Sequence, residues 1–287
     1  MPYVLLAVAC SVLVSVLLKL APRRGWDLGQ MVTWNYLAAA LLCAWLLRPP
    51  PAVLHQADAP WAPLLVLAVL LPGLFLVLGA SVRVAGIVRT DVAQRLSLLL
   101  SLAAAFLFFG ERAGALKLAG LGLGLVAVAG ILARPGPAAA QADGRAWSLL
   151  LAVWAGFALV DVTLKQLAQS GTPASAALLV AFVLAFAGMS AVQLWRRLRH
   201  KVALSPHNAA AGVLLGLLNF GNIVFYVQAH QALPDSPAVV FASMNIGVVV
   251  LGALVGIHGF GERTSRLNRA AIGLAVLAIA LIGLAPR

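Results

Sequence analysis

Charge is scarce in this chain, and acid scarcest of all. Of 287 residues only 8 are Asp or Glu, against 20 Lys or Arg, and charged residues of both signs make up 10%. A soluble domain carries about 25% charged and about 45–50% apolar residues; here 63% are hydrophobic. A water-soluble globule is therefore excluded. The two cysteines, Cys10 and Cys43, both lie inside apolar runs, which rules out a disulfide framework. No CxxC or HExxH is present, so neither a metal site nor any cofactor is expected. The lack of a GxxxxGK[ST] loop excludes ATP as a direct energy source, and the lack of GxSxG argues against a hydrolase. The opening Met1-Pro2-Tyr3 has no basic stretch of the signal-peptide kind, so the first apolar run is expected to persist as a helix.

What the chain has in abundance is apolar runs of spanning length. A membrane helix needs about 20 mainly apolar residues. Such runs cover approximately 3–20, 31–47, 61–82, 91–109, 114–133, 147–168, 173–195, 208–230, 236–258 and 267–285. The punctuation between them fits: Arg48-Pro49-Pro50-Pro51 closes the second, and Pro173 and Pro237 open the seventh and ninth, where a missing N–H is harmless. The net charge of +12, with its cluster Arg196-Arg197-Leu198-Arg199-His200-Lys201, does not signal nucleic acid. That cluster lies between two hydrophobic segments, where basic residues mark a cytoplasmic loop.

The chain also repeats itself. Ser15-Val16-Leu17-Leu18-Lys19 returns as Asp161-Val162-Thr163-Leu164-Lys165, 146 positions on, and Gly25 returns as Gly171 at the same offset. Gly110-Glu111-Arg112 returns as Gly261-Glu262-Arg263, 151 on. Two long copies indicate a duplicated membrane unit rather than a solenoid. The expected organisation is a first five-helix repeat over 1–133, a linker rich in Pro, Gly and Ala over 134–146, and a second repeat over 147–287. Five is odd, so the second repeat enters from the opposite side and the two are inverted. The fold class is all-α, with ten transmembrane helices. Basic residues concentrate in alternate loops (Arg23, Arg24, Arg83, Arg89, Arg134, Arg145, Arg196 to Lys201, Arg263, Arg266, Arg269), with Arg48, Arg112, Lys117 and Arg287 on the other side. This bias places both termini outside the cytoplasm. Gly120, Gly122 and Gly124, then Gly252 and Gly256, are spaced for close helix contact.

Two repeats that each end a fourth helix in Gly-Glu-Arg before a small-residue fifth helix resemble the drug/metabolite transporter superfamily, EamA type. The matching residues are Gly110-Glu111-Arg112 with Gly120, and Gly261-Glu262-Arg263 with Gly273. Ser15 to Lys19, with Gln30 and Trp34-Asn35-Tyr36, is similar to a bacterial subgroup of it. The resemblance spans the whole chain and implies a secondary carrier with a central cavity between the repeats. It also implies cytoplasmic termini, opposite to the loop charges.

Polar residues within a span are costly and face protein or a cavity. Asp161 and Lys165 share a helix face at i,i+4 spacing, either as a proton or substrate site or as a structural ion pair. Lys19 is a snorkelling lysine or a contact for an anionic group. Arg95, beside Gln94 and Ser97, either forks onto a carboxylate or phosphate or reaches back toward Arg89 and Asp91. Asn219, Asn222, Tyr226 and Asn245 are candidate neutral lining or interhelical glue. Trp34 and Asn35 complete the substrate-binding set. Lone His230 and His258 lack ligand spacing, and Glu111 and Glu262 read as structural, bonded to backbone or arginine.

The expected function is alternating-access transport of a small polar or amphipathic metabolite, by export or exchange, at the bacterial inner membrane. A coupling proton is one energy source. The alternatives are a lipid-linked flippase or an integral-membrane lipid enzyme. The lipid bilayer is the surrounding partner. One chain holds both repeats, so a monomer suffices, with a dimer left open.

Overall fold

The apolar runs fold as helices with few departures. In the computed structural model, which describes residues 2–49, 60–109, 114–132, 143–233 and 237–284, no strand occurs among the described residues. The helices are α1 Pro2–Leu20, α2 Leu28–Leu42, α3 Trp61–Val84, α4 Ile87–Phe109, α5 Ala115–Leu132, α6 Asp143–Gln169, α7 Ala174–His200, α8 Pro206–Ala232, α9 Pro237–Leu254 and α10 Arg266–Leu284. The second and ninth runs end in widened π turns, Cys43–Leu47 and Val255–Gly259.

Seven helices among the described residues are long and apolar enough to cross a bilayer: Pro2–Leu20, Leu28–Leu47, Trp61–Val84, Gly144–Gln169, Ala174–His200, Pro206–Ala232 and Val240–Gly259. At 1.5 Å rise per residue, about 20 residues match a hydrocarbon core of about 30 Å. The protein is thus an all-helical, polytopic membrane protein. Outside that set, α5 and α10 offer the shorter apolar stretches Leu118–Ala127 and Arg269–Ile282. Helix α4 carries Arg89, Asp91 and Arg95 in its first three turns.

Two compact units compose the chain. The first holds Met1–Lys19, Val77–Ala158 and Gly221–Arg287; the second holds Leu20–Leu76 and Leu159–Phe220. The boundaries fall at the end of α1 and inside α3, α6 and α8, so these spatial units are a different division from the two sequence repeats.

In the first unit, Val92, Leu96 and Leu99 of α4 pack with Ala127, Val249, Ala271, Ala275 and Ile279. Small residues let these backbones close. A Cβ at Gly120 would meet the Ile282 side chain and the Ala278 carbonyl, and one at Gly124 would meet Leu99. A second cluster joins Val4, Ala7, Val8 and Val12 of α1 to Val240, Met244 and Val248 of α9. Trp154 ties α6 to α4 by donating its indole N–H to the Leu96 carbonyl at 2.8 Å.

The second unit centres on Tyr36, fully buried, with Phe75 edge-on at 6.0 Å and Phe182 tilted at 5.9 Å. Helix α2 is held at its start by charge and amide chemistry. Asp27 caps it, accepting from the Gln30 N–H at 2.9 Å, and Arg196 forks onto the same carboxylate at 2.9 and 2.7 Å. Gln30 donates to the Ala203 carbonyl and accepts from the Ser205 N–H and the Asn208 amide. Gly212 and Gly216 of α8 lie so close to the α2 backbone that a Cβ there would meet Met31 O at 2.6 Å and Asn35 O at 2.7 Å.

The repeated glycines have a shared conformational reason. Gly25 (φ 67°) and Gly171 (φ 77°) both take the left-handed conformation after a helical turn, which favours glycine.

Candidate functional site

In the first unit, charged residues gather where α1 ends and α4 begins. Helices α3 and α4 are joined only by Ala85 and Gly86, and Gly86 takes φ +93°. Such an abrupt start leaves the first N–H groups of α4 without helical acceptors. Glu262 supplies them: its Oε1 accepts from the Ile87 N–H at 2.7 Å and its Oε2 from the Val88 N–H at 3.1 Å. A carboxylate at a helix N-terminus also meets the positive end of the helix dipole. Lys19, in the last turn of α1, donates to the same Oε1 at 2.9 Å and to the Val82 carbonyl at 2.9 Å. Both side chains of this pair are largely buried, at 15% and 13% exposure.

The turn that presents Glu262 is built for it. After the π turn, Gly261 adopts φ +65°, with its N–H on Ile257 O at 3.1 Å and the Glu262 N–H on Gly256 O at 3.0 Å. This is a helix closure of the Schellman kind, widened by one residue. A cavity of about 260 Å³ adjoins the pair, lined by Lys19, Val84 to Gly86, Val88, Arg89 and Glu262 to Thr264.

One turn deeper along α4 lies Asp91, 2% exposed. Ser15 of α1 donates its hydroxyl to Asp91 Oδ1 at 2.7 Å. Oδ2 has no hydrogen-bond partner among the described residues and lies against Gly252 of α9, where a Cβ would collide with it. Arg95, a turn further, donates Nη2 to the Ser11 hydroxyl at 2.6 Å. Serines one turn apart on α1 thus meet an acid and a base one turn apart on α4.

The second unit holds a smaller, mostly apolar pocket of about 180 Å³ between α2 and α7. Gln30, Thr33, Trp34, Phe186, Ser190, Gln193, Leu194, Arg197 and Leu204 line it.

The residues singled out from the sequence divide between the two units. In the first, Lys19 and Arg95 belong to the charged cluster. Asn222 donates to the Ala7 carbonyl at 2.8 Å, and Tyr226 stands edge-on to His230 at 4.5 Å. Asn245, buried, donates to Phe241 O in its own helix at 2.9 Å. In the second, Trp34 lines the α2/α7 pocket, and Asn35, fully buried, accepts from Asn219 at 3.3 Å. Asp161 is exposed on α6 and Lys165 half-buried, both with neighbours that engage them. Glu111 and Arg112 lie outside the described residues.

Asp91 and the long-range role of Glu262 were not singled out from the sequence. The signal for Asp91 was present, since it precedes Arg95 by four residues, a spacing that puts acid and base on one helix face.

Comparison with known proteins agrees with this architecture. The EamA-like transporter family matches residues 1–133. A protein of Haemophilus influenzae described as uncharacterized is 38% identical over 267 residues, covering 91% of this chain and 90% of that one. One solved crystal structure aligns over 97% of this chain and 95% of its own at a TM-score of 0.57; at 20% identity this shows the shared fold alone. Over residues 1–133 the chain thus has the sequence of the EamA-like transporter family, within the drug/metabolite transporter superfamily, and its apolar helices make it a multi-pass membrane protein.

Proposed function

We propose that this protein is a secondary-active carrier that moves a small polar or amphipathic metabolite across the bacterial inner membrane, by export or exchange. The observation that carries the reading is the concentration of charge inside an apolar helical unit of a transporter-family chain. Lys19, Asp91, Arg95 and Glu262 converge from α1, α4 and the turn after α9. Ionisable groups at such positions are expensive and are kept for pathways and binding.

The carrier works as ten spanning helices in two inverted five-helix repeats, 1–133 and 147–287, joined by the linker 134–146. The paired left-handed glycines Gly25 and Gly171 support this duplication. Alternating access then rocks one bundle against another around the substrate. Each unit carries candidate substrate contacts of its own: Lys19, Arg95, Asn222, Tyr226 and Asn245 in the first, and Trp34, Asn35, Asp161, Lys165 and Asn219 in the second. The α2/α7 pocket, with Trp34 as a flat apolar wall and Gln30 and Gln193 as polar groups, favours an amphipathic solute.

A stabilisation screen tests the reading. Purified protein is heated with amino acids, nucleosides, sugar phosphates and cationic dyes, since a ligand of the native state raises apparent stability by mass action. A hit that loses its effect in Arg95→Gln or Asp161→Asn supports the assigned contacts. Hits that persist unchanged in both variants exclude those two residues as contacts.

A further inference from the structure

We propose that Asp91 is a proton site: at neutral pH its carboxyl holds a proton, which it exchanges through the Ser15 side of α1. The structural basis is the unequal environment of its two oxygens. Oδ1 has a strong partner, the Ser15 hydroxyl at 2.7 Å. Oδ2 is buried without a hydrogen-bond partner among the described residues, close against Gly252. An ionised carboxylate spreads its charge over both oxygens, so ionisation leaves half a charge dry and unbonded, a large desolvation cost. Protonation removes that cost. The carboxyl O–H then donates from Oδ1 to the Ser15 oxygen over the same short distance, because a hydroxyl can reverse its role, and Oδ2 becomes an ordinary carbonyl oxygen.

Charges of both signs stand near the carboxyl: Arg95 one turn on along the same helix, and Glu262 from the turn after α9. The positive charge of Lys19 on α1 is engaged by Glu262 and the Val82 carbonyl. Arg89, two residues before Asp91, lines the adjacent cavity. On α9 the facing residue is Gly252, which brings no charge.

A polar cavity lies about one helical turn from the Ser15–Asp91 pair. Lys19 follows Ser15 by one helical turn, and Val88 precedes Asp91 by one; both line the 260 Å³ cavity. That polar space has room for several water molecules. Proton binding is a simple addition: a proton from water joins one carboxylate oxygen, the water is left one proton poorer, and the site gains one positive charge. No redox partner is needed. The role of that proton in transport rests on the carrier reading above; its binding to Asp91 does not.

The test is infrared difference spectroscopy of the purified protein without added solute, titrated from mildly acidic to mildly alkaline pH. The expected result is a protonated-carboxyl C=O band that fades as pH rises, is lost in Asp91→Asn, and changes frequency in Ser15→Ala. Field effects fix two further signs. Glu262→Gln removes a negative neighbour and moves the midpoint to lower pH; Arg95→Gln removes a positive one and moves it to higher pH. If Asp91→Asn does not fold, the Ser15→Ala frequency and the two midpoint shifts decide the matter. The proposal is overturned if no such band titrates, or if the band survives in Asp91→Asn and ignores the other three substitutions. Because no solute is present, this failure is separate from a failure of transport.

Discussion

Lys19 and Glu262, 243 positions apart, form one ion pair at 2.9 Å that also caps helix α4. Each belongs to one of the chain's duplicated motifs, Lys19 to the first copy of one and Glu262 to the second copy of the other. The contact therefore ties the early part of the chain to the late part within the first compact unit.

Removing Glu262 takes away three hydrogen bonds at once, two of them from backbone N–H groups with no other acceptor in the helix. Hydrogen bonds to charged groups contribute about 1.5–3 kcal/mol each when one partner is lost. Glu262→Ala is expected to lower the melting temperature in detergent more than Glu262→Gln, which keeps one acceptor. A Lys19→Met/Glu262→Gln double-mutant cycle is expected to show coupling of about 0.5–3 kcal/mol. Additive effects would show that the pair does not act as a unit.

Asp27 gives a pH dependence of definite sign. Its carboxyl, outside the membrane-spanning segments, is held below the ordinary carboxylate range, first by the Arg196 hydrogen bond and also by the Gln30 N–H, against the opposing effect of burial. A folded value below the unfolded one means stability that is present above the unfolded pKa of about 3.9 and lost as pH falls through the folded value. Arg196→Gln is expected to melt lower than the parent at neutral pH, with the gap narrowing in acid. Melting curves across pH check this; a constant gap contradicts it.

The glycines of α9 and α5 are not equivalent. A Cβ at Gly252 collides with the Asp91 carboxyl, whereas at Gly122 it meets nothing within 4 Å. Gly252→Val is expected to cost about 1–3 kcal/mol by forcing α9 from α4. Gly122→Ala should be neutral or stabilising by up to about 1 kcal/mol, through lower chain entropy. Thermal denaturation of the two variants checks the contrast.

Tyr36 makes the opposite point about polar groups. Its hydroxyl is buried with no hydrogen-bond partner among the described residues, while its ring is packed by Phe75 and Phe182. Tyr36→Phe keeps the packing and removes an unsatisfied donor, so the melting temperature is expected to hold or rise. A marked fall would reveal a partner for the hydroxyl.

Much of the helical layout was legible because a spanning helix must be apolar along its whole length. The runs 61–82 and 267–285 became Trp61–Val84 and Arg266–Leu284 with little change. The repeated glycines were legible for an equally local reason, since Gly25 and Gly171 serve the same left-handed turn. Asp91 opens the fourth apolar run, so the sequence alone puts it at a helix edge. The Gly86 turn starts α4 at Ile87, which draws Asp91 inside and buries it. Glu262 stands beside Arg263 and so suggests a local pair; its partners lie far off in the chain, where no spacing rule reaches. For Asp161 and Lys165 the i,i+4 pattern gave a shared face but not its environment, which is exposed at Asp161.

The most direct test of the carrier reading is counterflow in proteoliposomes. Vesicles are loaded with an unlabelled compound from the stabilisation screen, diluted, and given a trace of the labelled form outside. A carrier that exchanges the compound produces a transient internal accumulation of label above the equilibrium level, absent in protein-free vesicles. If every compound that stabilises the protein enters no faster than in protein-free vesicles, and none shows that overshoot, the protein binds without carrying and the account is contradicted.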